Sequence, residues 1–188
     1  MSQIDLDTFI FSSVANPKQN CVEHSNSLDY IKNLLQIEAH VPKCIPEDKA
    51  RDIFRTLRTQ IDWSDREGLP QFNDFVSQFP ELSQYIDNQV DKLRKTYPIP
   101  NSRMATIVTF LPDGVYEVWD HYHPGQCEVK FSFGGSRPVI VNDETYNMSP
   151  GDAIIFGPLH HSVPPHCGAE EQINIVTYYT DEAHNINL

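Results

Sequence analysis

Two sets of closely spaced histidines give this chain its chemistry. His121 and His123 form a His-x-His pair, and His160 and His161 stand side by side further on. Side chains two residues apart on a strand project from the same face. His121 and His123 can therefore reach one metal ion, at the roughly 2.0–2.1 Å that imidazole nitrogens favour. Neighbouring residues on a strand point to opposite faces, so only one of the second pair can join them. His161, followed by Ser-Val-Pro, is the expected third ligand and His160 a rim residue. The competing reading of the first pair is a turn beside Pro124 and Gly125. Glu128, five residues after His123, is a candidate fourth ligand or else a solvated strand residue. Lys130 is either solvent-facing or a cation that holds an anionic small molecule. Asp120 should face away from its neighbour His121. Cys127 and Cys167 lack a partner at ligand spacing and read as small buried hydrophobes. His166 and His184 read as surface residues.

Short strands must carry these residues. From Met104 onward the runs MATIVTFL, VYEVW, EVKFSF, PVIV, AIIF and INIVTYY are β-branched and aromatic, separated by Gly, Pro, Asn and Asp. Six or more strands with no helix between them predict an antiparallel barrel or jelly roll over 104–180. Gly134, Gly135 and Gly151 are expected to serve turns. The preceding part reads as support. Residues 1–25 form an irregular arm, and 26–103 are mainly helical. A short helix is expected over 28–36 and a brief extended piece over 41–46. An amphipathic helix follows Pro46, with Ile53, Phe54, Leu57 and Ile61 on one face. Residues 62–80 read as a loop with at most a turn of helix, and 81–95 as a further helix. The fold class is α+β, a single domain in which N-terminal helices buttress a β-barrel.

Charge narrows the partners. The net charge of −12 divides into −3 for residues 1–105 and −9 for residues 106–188, where Lys130 and Arg137 are the sole Lys or Arg. Duplex nucleic acid is gripped by neutralising phosphates with Lys and Arg, and this half is ill-equipped for it. No apolar run approaches the roughly 18 residues of a membrane span. Without a basic, apolar start or CxxC spacing, a cytosolic or nuclear setting with reduced thiols is expected.

From about Ala39 to Tyr179 the chain resembles the AlkB-like branch of the iron(II)- and 2-oxoglutarate-dependent oxygenases, which are double-stranded β-helices. The segments that carry the likeness are HVPKCIPEDKARDIFRTLRTQIDW, IPNSRMATIVTFLPDG, SFGGSRPVIV, GDAIIFGPLHHSVPP and QINIVTYY. The resemblance implies Fe(II) on His121 and His161, with His123 at the position of the family's aspartate. On the last strand Gln172 and Tyr178 stand at the two arginine positions and Asn174 matches the family's asparagine. The first arginine grips the cosubstrate's far carboxylate in that family. Its exchange for Gln removes a charge-assisted pair worth about 1.5–3 kcal/mol. Some related oxygenases use a lysine from another strand instead, a role open here to Lys130. The implied activity is hydroxylation or oxidative demethylation with Fe(II) and 2-oxoglutarate.

The same stretch is similar to the first cupin motif: Gly114, His121-x-His123, Glu128 and Gly135 fall at its spacing, with one extra position after the first glycine. That likeness implies a metalloenzyme without 2-oxoglutarate (a lyase, isomerase or thiol dioxygenase) with Glu128 at the metal. A third reading is a catalytically silent barrel acting as a binding module. The substrate expected is a small molecule, a protein side chain or single-stranded methylated nucleic acid, the last held by Lys49, Arg51, Arg55 and Arg58.

Overall fold

The computed structural model describes residues 32–63, 71–112, 114, 116–166, 168 and 170–181. The expected arm over 1–25 lies outside them, as does most of the helix expected over 28–36, of which 32–34 are helical. The α+β architecture is as expected, with ten strands in two sheets among the described residues. The larger sheet has the order β1 (Glu38–Val41), β8 (Ala153–Phe156), β5 (Cys127–Gly134), β10 (Gln172–Thr180), β3 (Ser102–Leu111), β2 (Gln71–Phe72). The smaller has β4 (Val118–His121), β9 (His161–Val163), β6 (Arg137–Val141), β7 (Glu144–Met148). All pairings are antiparallel.

The 26–103 segment is not wholly helical. Its extended piece sits at 38–41 rather than 41–46 and joins the large sheet through β8. The expected loop before Pro80 contributes β2 to the opposite edge and a short helix, α2 (Phe75–Gln78). The two long helices form where expected. α1 (Glu47–Gln60) opens with Glu47 and Asp48 in its first turn, favourable beside unpaired N–H groups. α3 (Pro80–Leu93) starts with proline, whose missing donor costs nothing at that position.

Two apolar clusters fill the molecule, one on each face of the large sheet. On the outer face Ile53 and Leu57 of α1 and Ile86 and Val90 of α3 pack with Val129, Phe131, Ile173 and Ile175. Burying each such side chain contributes about 1.5–3 kcal/mol. Between the sheets lie Leu111, Val139, Val141, Met148, Ile154, Phe156 and Val163. The period of two thus turns alternate residues of β5 and β10 towards the helices and the rest into the barrel.

Gly151 joins the barrel to the support. Its φ is +89°, its carbonyl accepts a hydrogen bond from the Ile45 N–H at 2.9 Å, and an added Cβ would collide with Ile45 O. Next to it, the buried Asp152 carboxylate accepts the N–H groups of Lys43 and Ser149 and contacts His40 Nε2 at 3.0 Å. Gly151→Ala is expected to cost about 2–4 kcal/mol, from left-handed strain plus displaced backbone. Gly125→Ala, with the same sign of φ but nothing within 4 Å, should cost about 1 kcal/mol. Denaturant midpoints at constant m-value compare the two.

Candidate metal centre

β4 and β9 are paired strands, and their register sets His121 directly opposite His161. His123 follows two residues on, and the ligand nitrogens of all three lie within 4.8 Å of one another. Ring centroids are 4.2 Å apart for His121 and His161, 4.9 Å for His121 and His123, and 5.4 Å for His123 and His161. Backbone carbonyls orient two of the rings. His121 Nδ1 donates to Trp119 O at 2.7 Å and His161 Nδ1 to Leu159 O at 3.1 Å. With the proton held at Nδ1, Nε2 keeps its lone pair, the arrangement metal-binding imidazoles adopt. Burial pushes His123 down to about 4 and His161 to about 3. Both are therefore neutral at pH 7, the form that ligates.

Glu128 is 4% exposed, and its carboxylate enters the cluster rather than solvent. Oε2 lies 3.5 Å from His161 Nε2 and 3.8 Å from His123 Nε2. Burial raises the carboxyl pKa, offset by His123 and Lys130. Glu128 Oε2 and His123 Nε2 are buried and make no hydrogen bond. Such orphaned atoms are costly, and here both are electron-pair donors converging on one point. A divalent cation satisfies them together, so the residues fit a metal ion.

Beneath the cluster the barrel interior is layered by strand register. Glu128 pairs with Phe156 on one side and Tyr178 on the other. The Tyr178 ring lies 4.8 Å from that of His123, and Phe156 is 4.7 Å from His161, so both wall the site. One step deeper, about 7 Å along the strand, Lys130 lies between Ile154 and Val176. It is 6% exposed, and burial lowers its pKa while Glu128 opposes the shift. Below it Ser132 donates to Asn174 Oδ1 at 2.8 Å, and Asn174 Nδ2 to Thr109 at 3.5 Å. At the far end Gln172 donates to Gly135 O at 3.0 Å, its Oε1 buried without a hydrogen bond. Arg137 closes that end by donating to the carbonyls of Leu111, Tyr116 and Glu170.

All eight residues singled out by sequence thus line one interior, with the three histidines, Glu128 and Tyr178 at its mouth and Lys130, Asn174 and Gln172 below. The solvent-facing alternatives for Glu128 and Lys130 do not hold. His160 is exposed, its Nδ1 2.9 Å from Asp120 Oδ2. His166 is exposed, and Cys127 is buried with its thiol pushed up to about 12. His184 and Cys167 lie outside the described residues. Phe156 and Trp119 were not anticipated as part of the site. Phe156 was within reach of sequence reasoning, because it ends the strand that precedes His161.

No protein-family profile and no curated protein matches the sequence. Solved structures do match in fold. HygX from Streptomyces hygroscopicus, with nickel and 2-oxoglutarate bound, has a TM-score of 0.62 at 9% identity over 84% of this chain and 87% of its own. A prolyl hydroxylase from Trichoplax adhaerens, in complex with a hypoxia inducible factor peptide fragment, gives 0.62 at 11% over 90% and 98%. SnoN, a non-heme α-ketoglutarate-dependent epimerase of nogalamycin biosynthesis, gives 0.60 at 11% over 84% and 83%. The fold is a double-stranded β-helix, shared with these solved structures. In this double-stranded β-helix β4 and β9 bring the histidines to one mouth. No helix among the described residues is long and apolar enough to cross a membrane.

Proposed function

We propose that the protein is a non-haem Fe(II) oxygenase that couples oxidative decarboxylation of 2-oxoglutarate to hydroxylation of a substrate C–H bond. The observation that carries this reading is the convergence of three imidazoles above a buried lysine in this barrel. His121, His123 and His161 would hold the metal, which supplies dioxygen activation when bound. An octahedral ion held by three residues keeps three positions, enough for a chelating 2-oxo acid and dioxygen. Lys130 takes over the task of the missing arginine and pairs with the cosubstrate's far carboxylate. Asn174 and Gln172 complete the polar floor, and Tyr178 and Phe156 shield the mouth from water. The balance is 2-oxoglutarate, O₂ and R–H giving succinate, CO₂ and R–OH. AlkB-type demethylation is the same step on an N-methyl carbon.

Glu128 favours a second reading. With its carboxylate as a fourth ligand, two positions remain, too few for chelate and dioxygen together. A cupin-type metalloenzyme independent of 2-oxoglutarate is then the fit. One experiment separates the two: Fe(II) content, and succinate release from 2-oxoglutarate, in the wild type and Glu128→Gln. The oxygenase reading expects succinate from both proteins. Bound iron, no succinate from the wild type and loss of iron in Glu128→Gln would overturn it in favour of the second.

A further inference from the structure

The barrel half turns all its fixed positive charge inward. Lys130 and Arg137, its sole Lys and Arg, are both buried inside the barrel. Its outer surface, among the described residues, therefore carries carboxylates without a Lys or Arg of its own. Two of these flank the metal-binding strands. Asp120 lies beside His121 on β4, and Asp143 sits in the β6–β7 turn, where the Asn142 N–H donates to His160 O at 2.8 Å. Asp120 Oδ2 lies 2.9 Å from Nδ1 of His160, itself exposed.

Strand β4 and the residue that follows it carry an unburied aromatic surface. Trp119 is 78% exposed and Tyr122 50%, the two most exposed large apolar side chains among the described residues. The Trp119 carbonyl accepts the His121 Nδ1–H, so the exposed indole belongs to the residue two positions before a ligand. β4 is also the outermost strand of its sheet. Its outer edge thus offers backbone N–H and C=O groups of the kind an extended chain pairs with. Aromatic faces beside carboxylates attract ammonium and guanidinium groups through both Coulomb and cation–π terms.

Building on the oxygenase reading, we propose that the substrate is a basic peptide segment of another protein. It lies along the β4 edge with separate Lys or Arg side chains over Trp119 and against Asp120 and a basic flank towards the Asp143 turn beyond β9, which delivers a neighbouring residue to the histidine cluster. A free polyamine would satisfy the charge but leave the strand edge unused, and a nucleic acid strand would meet repulsion.

The test uses the full chain without added metal or cosubstrate, so that it is independent of turnover. Fluorescein-labelled twelve-residue peptides of alternating Lys-Ser, Gly-Ser and Glu-Ser, and an oligothymidylate of equal length, are titrated by anisotropy. Binding of the Lys-Ser peptide is expected to be at least about tenfold tighter than of any other probe and to weaken with salt. Asp120→Lys/Asp143→Lys should reverse the preference towards Glu-Ser, and Trp119→Ala should weaken Lys-Ser binding several-fold. Thermal melts confirm folding, and if Trp119→Ala melts early the charge reversal decides. Equal affinity for Lys-Ser and Gly-Ser, tightest binding of oligothymidylate, an unchanged preference in the charge-reversed protein, or displacement by spermine at equal charge concentration overturns the proposal. Peptide binding with no 2-oxoglutarate turnover would instead sink the oxygenase reading and leave the basic-peptide docking surface standing.

Discussion

His161→Ala is expected to lose its metal. The side chain is buried, its Nδ1 is committed to Leu159 O, and its Nε2 faces the cluster. Removing an outer hydrogen bond from a metal ligand costs about 10–100-fold in affinity, so removing the ligand itself should exceed that. Iron content after dialysis should fall to background, and succinate release with it. The fold should survive, because the large apolar cluster lies on the other face of the large sheet and includes no residue of β9. His160→Ala makes the contrast. That ring is exposed and pairs with Asp120, so iron content should match the wild type. Full iron in His161→Ala, or loss in His160→Ala with an unchanged circular dichroism spectrum, would show that the cluster is not the metal centre.

That only one of His160 and His161 could join the cluster was legible in the sequence, because it rests on the period of extended chain alone. Two residues apart means the same face, and one apart means opposite faces, whatever the rest of the barrel does. The same reasoning located most strands and both long helices. It did not single out β7 as a strand, since the run Glu144–Met148 is largely polar and exposed, with little apolar alternation to mark it. Nor did it single out β9, three residues long. The orientation of Glu128 and Lys130 was undecidable for a different reason. Period-two alternation marks an inner face only when the other face is wet, and β5 is buried on both sides from Cys127 to Phe133. Helix α1 covers one side and the smaller sheet the other, a tertiary arrangement that strand chemistry does not encode. The place of 2-oxoglutarate is still less legible. Gln172 at an arginine position says what is missing, while the replacement proposed above, Lys130, sits on a neighbouring strand, near in space and distant in sequence.

Lys130→Met tests that replacement, and stability and activity should move in different directions. The lysine is 6% exposed, and Glu128 is the charged group that opposes the lowering of its pKa by burial. A buried cation carries a desolvation cost that a methionine of similar volume avoids. The variant should therefore melt at or above the wild-type temperature. Against this, Lys130 would form the charge-assisted pair with the far carboxylate of 2-oxoglutarate. Its loss removes about 1.5–3 kcal/mol, which raises KM for 2-oxoglutarate by roughly ten- to a hundredfold. Iron content should stay unchanged, since the lysine lies one layer beneath the ligands. Lys130→Arg, which keeps the charge but demands more room between Ile154 and Val176, should recover part of the KM at some cost in stability. A merely structural lysine would give the reverse pattern, a lower melting temperature with KM unmoved. If Lys130→Met keeps the wild-type KM, the cosubstrate is held by another group or is not 2-oxoglutarate, and the four-ligand reading built on Glu128 gains accordingly.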